Sequence, residues 1–161
     1  MDVPTGSVLA FAGPVLPAGY QFCYGQVESS TDPIYAALFK VIGTAHGGDG
    51  APNFNLPDYR GQFLRGVDHS RGLDRDSGQR GTPMAGSGNG GDRVGSVQPG
   101  QIATHTHSFT GQFLQAQGGG GFNGHGFDGN SGPNPKGFTM DATGGTETRP
   151  TNAYVEYIIK L

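Results

Sequence analysis

Two histidines at alternate positions form the pattern in this chain that most directly suggests chemistry. His105 and His107 are separated by Thr106 and preceded by Thr104, and β-branched threonine favours an extended backbone. On a strand, side chains two residues apart point to the same face, so the two imidazoles project side by side. Two neighbouring imidazoles are half of a small metal site. The other ligands come from elsewhere in the chain or from other copies of it, unless the pair is simply packed or surface histidine.

The remaining histidines and the single cysteine give no further ligand pattern. The histidines lie in glycine-rich loops without a partner at ligand spacing, so we expect them to be exposed: His46, His69 and His125. Cys23 is alone, which excludes an intrachain disulfide and a cysteine zinc cage. We expect Cys23 to be a small buried apolar residue.

Catalytic patterns are absent from the sequence. There is no nucleophile elbow, phosphate-binding glycine loop or zinc-protease helix, and no glutamate is placed with an aspartate for glycoside hydrolysis. Four aspartates do not follow calcium-loop spacing and are expected to serve turns and loop caps: Asp49, Asp68, Asp74 and Asp76. The sequence therefore predicts that the protein is not an enzyme.

The composition indicates an ordered but loop-dominated chain. Its 161 residues include 31 glycines and 11 prolines, about a quarter of the total and a proportion typical of low-complexity sequence. The net charge is only −3, however, whereas disorder usually accompanies high net charge. We expect a thin core and further stability from surface buried between subunits.

Charge and hydropathy exclude two classes of partner. No lysine or arginine cluster offers phosphate neutralisation, so no nucleic-acid partner is expected. No apolar run approaches the roughly 20 residues that span a bilayer, so no membrane insertion is expected. The first four residues lack the basic start of a secretory signal, which predicts a product made and folded in the cytoplasm.

The pattern of apolar residues predicts mostly strands. Residues 6–13 read as a short, largely buried strand, and residues 20–25 as a second strand with Phe22 and Tyr24 on one face. Residues 154–161 form a strong strand pattern at the end of the sequence, which suggests that the segment is docked.

One helix is predicted between these strands. Asp32 would cap its N-terminus, with Pro33 at the first helical position and Gly43 at its end. Its apolar stripe would contain Ile34, Leu38 and Val41.

Beyond the helix, charged residues are expected to hold loops. Arg60 and Arg65 are predicted to pair with Asp58 and Asp68. Residues 69–100 have little apolar content and read as an extended connector.

Several segments, taken in order, resemble the phage tail collar domain, and later ones look like the C-terminal parts of tail-fibre proteins that carry it. The collar-like segments are GSVLAFAG at 6–13, PAGY at 17–20, CYG at 23–25, YAALF at 35–39 and FNLPDYRGQFLRG at 54–66. The later segments are VGSVQ at 94–98, HTH at 105–107 and ETRPTNA at 147–153. The resemblance covers nearly the whole chain and is weakest at 118–145.

The resemblance implies a fold and an assembly. We expect a mostly β fold with one short helix in a collar-like domain at 1–80. A glycine-rich fibre-tip region at 81–161 would then hold the His-x-His strand, an insertion loop at 118–145 and the C-terminal strand. The expected assembly is an intertwined, loop-rich homotrimer.

The resemblance also implies where the remaining ligands of the metal site come from. The pairs His105 and His107 of three chains would meet on the three-fold axis and bind one transition-metal ion through six imidazoles. Six nitrogen ligands suit octahedral iron(II), whereas zinc prefers four, so the expected ion is iron or zinc.

The function implied is that of a receptor-binding tail-fibre tip. It would attach a phage, or a phage-tail-like contractile injection particle, to a bacterial surface glycan or lipopolysaccharide. It would be located in the virion or particle tail, joined to the rest of the tail fibre or the baseplate. The alternative is a small collar-fold structural protein, secreted or surface-attached, without adhesive function.

The glycine-rich insertion at 118–145 is the candidate receptor surface. Glycans are held by aromatic platforms and planar polar side chains, and apolar content in exposed loops marks interaction surfaces. The alternative is that its phenylalanines pack inside the trimer. The candidate receptor-binding residues are Phe122, Asn123, His125, Phe127, Asn130, Asn134 and Phe138.

Overall fold

The computed structural model of the protein describes residues 2–102, 104, 106 and 149–161. The chain divides into two compact units, Met1–Pro99 with Thr151–Leu161 and Gly100–Pro150. The described part is mostly β with one α-helix, which confirms the predicted fold class. The trimer and the predicted domain boundary between residues 80 and 81 stay predictions.

The described elements of the first unit follow one another in a simple order. They are β1 (Val8–Phe11), β2 (Tyr20–Phe22), β3 (Val27–Ser29), α1 (Ala36–Ile42), β4 (Asn53–Asn55), a 3-10 turn (Ser77–Gln79) and β5 (Glu156–Lys160).

The C-terminal strand β5 is the middle strand of a three-stranded antiparallel sheet with the order β1-β5-β2. Ile159 lies opposite Val8 of β1 and Gln21 of β2. Backbone hydrogen bonds extend the pairing, from Gly6 N–H to the Lys160 carbonyl at 2.9 Å and from Leu161 N–H to the Gly19 carbonyl at 3.0 Å. The predicted terminal strand is therefore confirmed and docked.

A second sheet consists of β3 and β4, which pair antiparallel, with α1 between them in sequence. Each strand has only three residues, Val-Glu-Ser and Asn-Phe-Asn. Neither strand shows an apolar alternation, which is why the sequence did not reveal this pair.

The core of the first unit is small. Its central cluster contains five buried residues from β4, β5, α1 and adjoining loops: Cys23, Leu38, Phe54, Leu56 and Ile159. The Phe39 and Phe54 rings pack at a centroid distance of 5.1 Å. Cys23 is 1% exposed, as predicted, and burial raises the pKa of its thiol to about 12. The thiol is therefore inert at neutral pH.

The helix differs from its prediction at the N-terminus and along its packing face. It begins at Ala36, and Asp32 instead closes the preceding turn, where its carboxylate accepts the Ile34 N–H at 2.9 Å. Leu38 is fully buried, but Ile34 and Val41 are 61% and 59% exposed, so the predicted stripe was wrong. Because the first predicted turn is not helical, Tyr35, Phe39 and Ile42 accompany Leu38 against the core. The predicted end at Gly43 is confirmed.

The two N-terminal strands are shorter than predicted. Within β1, Leu9 and Ala10 are exposed, so this edge strand is not the largely buried strand expected. The second strand ends at Phe22, and Tyr24 forms an isolated bridge to Asp58. The rings of Phe22 and Tyr24 stack at 5.0 Å, which confirms their predicted common face.

Residues 69–100 fold back within the first unit, so the prediction of an extended connector was wrong. Gly81 and Val97 form an isolated antiparallel bridge. Asn89 N–H donates to the Ala45 carbonyl at 2.9 Å, and Gly48 N–H donates to Ser87 Oγ at 3.0 Å. Polar contacts, not apolar packing, hold this segment.

A buried ion pair organises the same segment. Arg80 donates through Nε to Asp74 Oδ2 at 2.9 Å and through Nη2 to the same oxygen. The Arg80 hydrogen bond holds the pKa of Asp74 below its usual range. Arg65 lies 3.6 Å from Asp74, so its predicted pairing with Asp68 was wrong. The Asp68 carboxylate instead accepts three backbone N–H groups of residues 72–74, the predicted loop-capping role.

Candidate functional site

The residues predicted for metal and receptor binding lie outside the described residues, so both sites stay predictions. For metal these are His105 and His107. For the receptor they are Phe122, Asn123, His125, Phe127, Asn130, Asn134 and Phe138. Within the described part, no group of three or more His, Cys, Asp or Glu is placed to hold a metal ion.

A cleft of about 550 Å³ opens on the first unit. It lies where the segment after β2 meets the loops that follow α1 and β4. Its polar lining consists of Tyr24, His46, Asp58, Arg60 and Gln62. Its apolar lining consists of Leu56, Pro83 and Met84.

A fixed ion pair forms one rim of the cleft. Arg60 donates through Nε to Asp58 Oδ1 at 2.8 Å and through Nη2 to Asp58 Oδ2 at 2.6 Å, which confirms the predicted pair. The Arg60 hydrogen bond lowers the pKa of Asp58. Gln62 adds a bond from Nε2 to the Asp58 carbonyl at 3.1 Å. Three planar polar groups are thereby held on one short segment.

Tyr24 connects this rim to the C-terminal strand. The Arg60 guanidinium lies 5.5 Å from the centroid of the Tyr24 ring, a cation–π distance. The Tyr24 hydroxyl donates to Glu156 Oε2 at 2.7 Å, and this hydrogen bond raises the pKa of Tyr24. Glu156 is the first residue of β5, so the cleft is tied to the central strand.

His46 forms part of the cleft wall and is buried. It is only 5% exposed, so the prediction of an exposed histidine was wrong. Burial lowers its pKa to about 4, and the imidazole is therefore neutral at pH 7. Its ring meets Tyr59 edge-on at 6.0 Å. The prediction is confirmed for His69, which is exposed.

A close backbone approach places His46 in this position. Gly95 has a φ of +92°, and a Cβ at that residue would collide with the Ala45 carbonyl. The segment 81–97 therefore lies directly over the loop that carries His46. Sequence reasoning missed this because the contact joins residues about 50 positions apart and no local pattern marks it.

The rim did have a sequence signal. Asp58 and Arg60 lie two residues apart in the sequence, and their pairing was predicted. This pair was recognisable in the sequence, but the positions of Gln62, His46 and Met84 in the cleft lining were not.

Comparison with known proteins finds a family match in the N-terminal part of the chain. Residues 6–64 match the sequence profile of the phage tail collar domain. This segment is a phage tail collar domain. The chain is 37% identical over 112 residues to the short tail fiber protein gp12 of Enterobacteria phage T4, covering 66% of this chain and 20% of that protein. The predicted resemblance is confirmed.

A second relative is bacterial. The chain is 32% identical over 149 residues to Protein RhiB of Rhizobium leguminosarum bv. viciae, covering 89% of this chain and 64% of that protein. The chain thus spans about a fifth of the first relative and less than two thirds of the second. These similarities support a structural role of the tail-fibre kind.

The collar profile accounts for only part of the cleft. The polar lining falls within residues 6–64, whereas Pro83 and Met84 follow the profile and Glu156 lies far beyond it.

In the described ranges, no helix has the length and apolarity to cross a membrane.

The buried neutral His46 predicts a specific loss of stability in mild acid. Its folded-state pKa of about 4 lies below the ordinary 6.5, so the unfolded state binds more protons between these values. Stability should therefore fall as the pH drops from 6.5 to 4, by up to about 3 kcal/mol from this group. His46→Gln should remove this component of the pH dependence, measured by urea unfolding at several pH values.

The exposed His69 supplies the matched control, and His69→Gln should keep the wild-type pH dependence. Parallel curves for wild type and His46→Gln between pH 6.5 and 4 would contradict a buried neutral His46.

Proposed function

We propose that the protein is a structural and receptor-binding tail-fibre tip that attaches a phage or phage-tail-like particle to a bacterial cell surface. The collar domain at residues 6–64 is the observation that carries the proposal. The similarity to a short tail fiber protein supports it and extends well beyond the length of the collar profile. The partners in this proposal are a surface glycan or lipopolysaccharide and the rest of the tail fibre or baseplate, in the particle tail.

A homotrimer is part of the proposal, and the exposed apolar side chains support it. The core cluster is small, while Phe63, Leu64 and Leu73 are 66%, 46% and 68% exposed. Large apolar side chains on the surface of a thin-core chain favour contacts with other subunits. Three-fold symmetry would also bring three copies of one short segment to the axis.

The metal site belongs to the same assembly. Three copies of His105 and His107 supply six imidazoles, which suits a single transition-metal ion, iron or zinc. The alternation with Thr104 and Thr106 supports the pairing of imidazoles on one strand face. The ion would pin three strands together and stabilise the tip without contacting the receptor.

Native mass and elemental analysis test the assembly and the metal together. Light scattering should give three times 16.7 kDa, with about one iron or zinc ion per three chains. The variant His105→Ala/His107→Ala should lose the ion, whereas His69→Ala should keep it. The trimer and the metal site would both be contradicted if the protein is a monomer. The metal site would also be contradicted if protein that was never exposed to a chelator contains no iron or zinc.

Receptor binding is assigned to the insertion at 118–145. Its aromatic and amide side chains match the way in which proteins hold sugars, through ring faces and planar hydrogen-bonding groups. Its glycine content allows these groups to be presented on loops.

Substitution of three phenylalanines tests this assignment. The variant Phe122→Ala/Phe127→Ala/Phe138→Ala should bind cells at least about tenfold more weakly and keep the native mass, because it removes contact area for the sugar. Binding is measured on Gram-negative strains with intact and with truncated lipopolysaccharide. Val15→Ala, at a side chain 78% exposed on the first unit, is the control. Dissociation of the trimer would instead identify the phenylalanines as core residues.

A second candidate function has one observation in its favour. The similarity to the bacterial Protein RhiB extends over 149 residues, which suits a structural protein outside a virus particle. In that case the protein is secreted or surface-attached and binds no cell envelope. Absence of binding by the wild-type protein to every strain of the panel would favour this alternative.

A further inference from the structure

We infer that the cleft in the collar domain is a binding site for a neutral, polyhydroxylated ligand of monosaccharide or disaccharide size. The site consists of His46, Asp58, Arg60 and Gln62, with apolar contacts from Pro83 and Met84. It is distinct in sequence from the insertion at 118–145. The inference deepens the proposed function, on which its biological role rests, by adding a saccharide subsite to the collar itself.

His46 is the first observation that indicates a ligand. It is 95% buried, yet none of the hydrogen bonds within the described residues involves its side chain. Among the described residues, every side-chain nitrogen or oxygen that is sealed from solvent has a hydrogen-bond partner. The ring nitrogens of His46 are therefore not fully sealed from solvent; Nδ1 lies toward Gly95, and His46 lines the cleft. A buried polar group of this kind is normally satisfied by a partner, here one that enters the cleft.

The rim offers further unused hydrogen-bonding groups. Arg60 bonds to Asp58 through Nε and Nη2, which leaves Nη1 without a protein acceptor in the described part. Gln62 uses Nε2 on the Asp58 carbonyl, and no hydrogen bond among the described residues uses its Oε1. The cleft thus presents a guanidinium donor, an amide acceptor and an imidazole, which is both donor and acceptor when neutral. A hydroxyl group can satisfy each of these because it both donates and accepts.

Charge selects a neutral ligand. The Asp58 carboxylate and the Arg60 guanidinium cancel each other within a bidentate pair, and His46 is uncharged at pH 7. A cation would find the carboxylate oxygens already occupied, and an anion would meet a neutralised guanidinium. Pro83 and Met84 add apolar surface that suits the C–H faces of a sugar ring.

Size and rigidity also fit such a ligand. The volume of about 550 Å³ lies within the range of about 300–1,000 Å³ that small-molecule pockets occupy. The Arg60 side chain is fixed between Asp58 and the Tyr24 ring, and Tyr24 is fixed by Glu156. Groups held in place before binding lose little conformational entropy when the ligand arrives.

Saturation-transfer difference NMR on the full chain tests the site. The probes are glucose, galactose, N-acetylglucosamine and lactose, with glucuronate as the charged comparison. At least one neutral sugar should receive saturation from the wild-type protein, more strongly than glucuronate does. The signal should fall at least about fivefold in Arg60→Ala, which removes the rim donor. It should fall equally in Met84→Trp, which fills the cleft from a side chain that is 47% exposed.

Arg75→Ala is the matched control, since Arg75 is an exposed arginine outside the cleft lining. This variant should keep the wild-type signal. Each variant is checked for the wild-type dispersion of its amide spectrum, and Gln62→Ala replaces any variant that fails this check. No signal from any neutral sugar, or an equal signal in wild type and Met84→Trp, would overturn the inference. Preference for glucuronate would overturn the neutral ligand class.

The same variants in the cell-binding assay separate this inference from the proposed function. Wild-type protein that binds cells while showing no sugar contact in the cleft would overturn the subsite and leave the proposed function standing. Sugar contact in the cleft without any cell binding would support the subsite and contradict the adhesive function.

Discussion

The antiparallel pairing of β5 with both β1 and β2 is the constraint on which the rest of the described fold depends. Without β5, β1 and β2 share no hydrogen bonds, because β5 lies between them. Ile158 and Ile159 of this strand are 2% and 1% exposed, and Ile159 belongs to the core cluster. The collar profile ends at residue 64, yet its sheet is completed by the last residues of the chain.

The candidate cleft depends on the same strand. Glu156 accepts the Tyr24 hydroxyl, Tyr24 lies under Arg60, and Arg60 is paired with Asp58. This series of contacts connects the sheet to the rim, so a change at the C-terminus alters both stability and the geometry of the cleft. The collar is in this respect a scaffold whose polar surface is positioned by a long-range strand pairing.

Local patterns in the sequence identified the features that local physics controls. The terminal strand was predictable because its segment is rich in aromatic and β-branched residues, and the end of the helix because Gly43 suits a C-terminal stop. The Asp58–Arg60 pair was predictable because its members are two residues apart. The buried position of His46 and the Asp74–Arg80 pair arise from contacts between distant loops, and glycine-rich loops carry no periodicity that would reveal them. The cleft required both kinds of feature, so only its Asp58–Arg60 pair was predicted from the sequence.

Truncation of the C-terminal strand tests the central claim most directly. A chain ending at Pro150 lacks β5, and hydrogen exchange and urea unfolding compare it with the full chain. We expect the amides of β1 and β2 to lose their protection and the cooperative transition to disappear, because the middle strand and the buried Ile159 are absent. Addition of a peptide of residues 151–161 should restore part of the protection. A truncated chain with the same urea midpoint and the same protection in β1 and β2 would contradict the account.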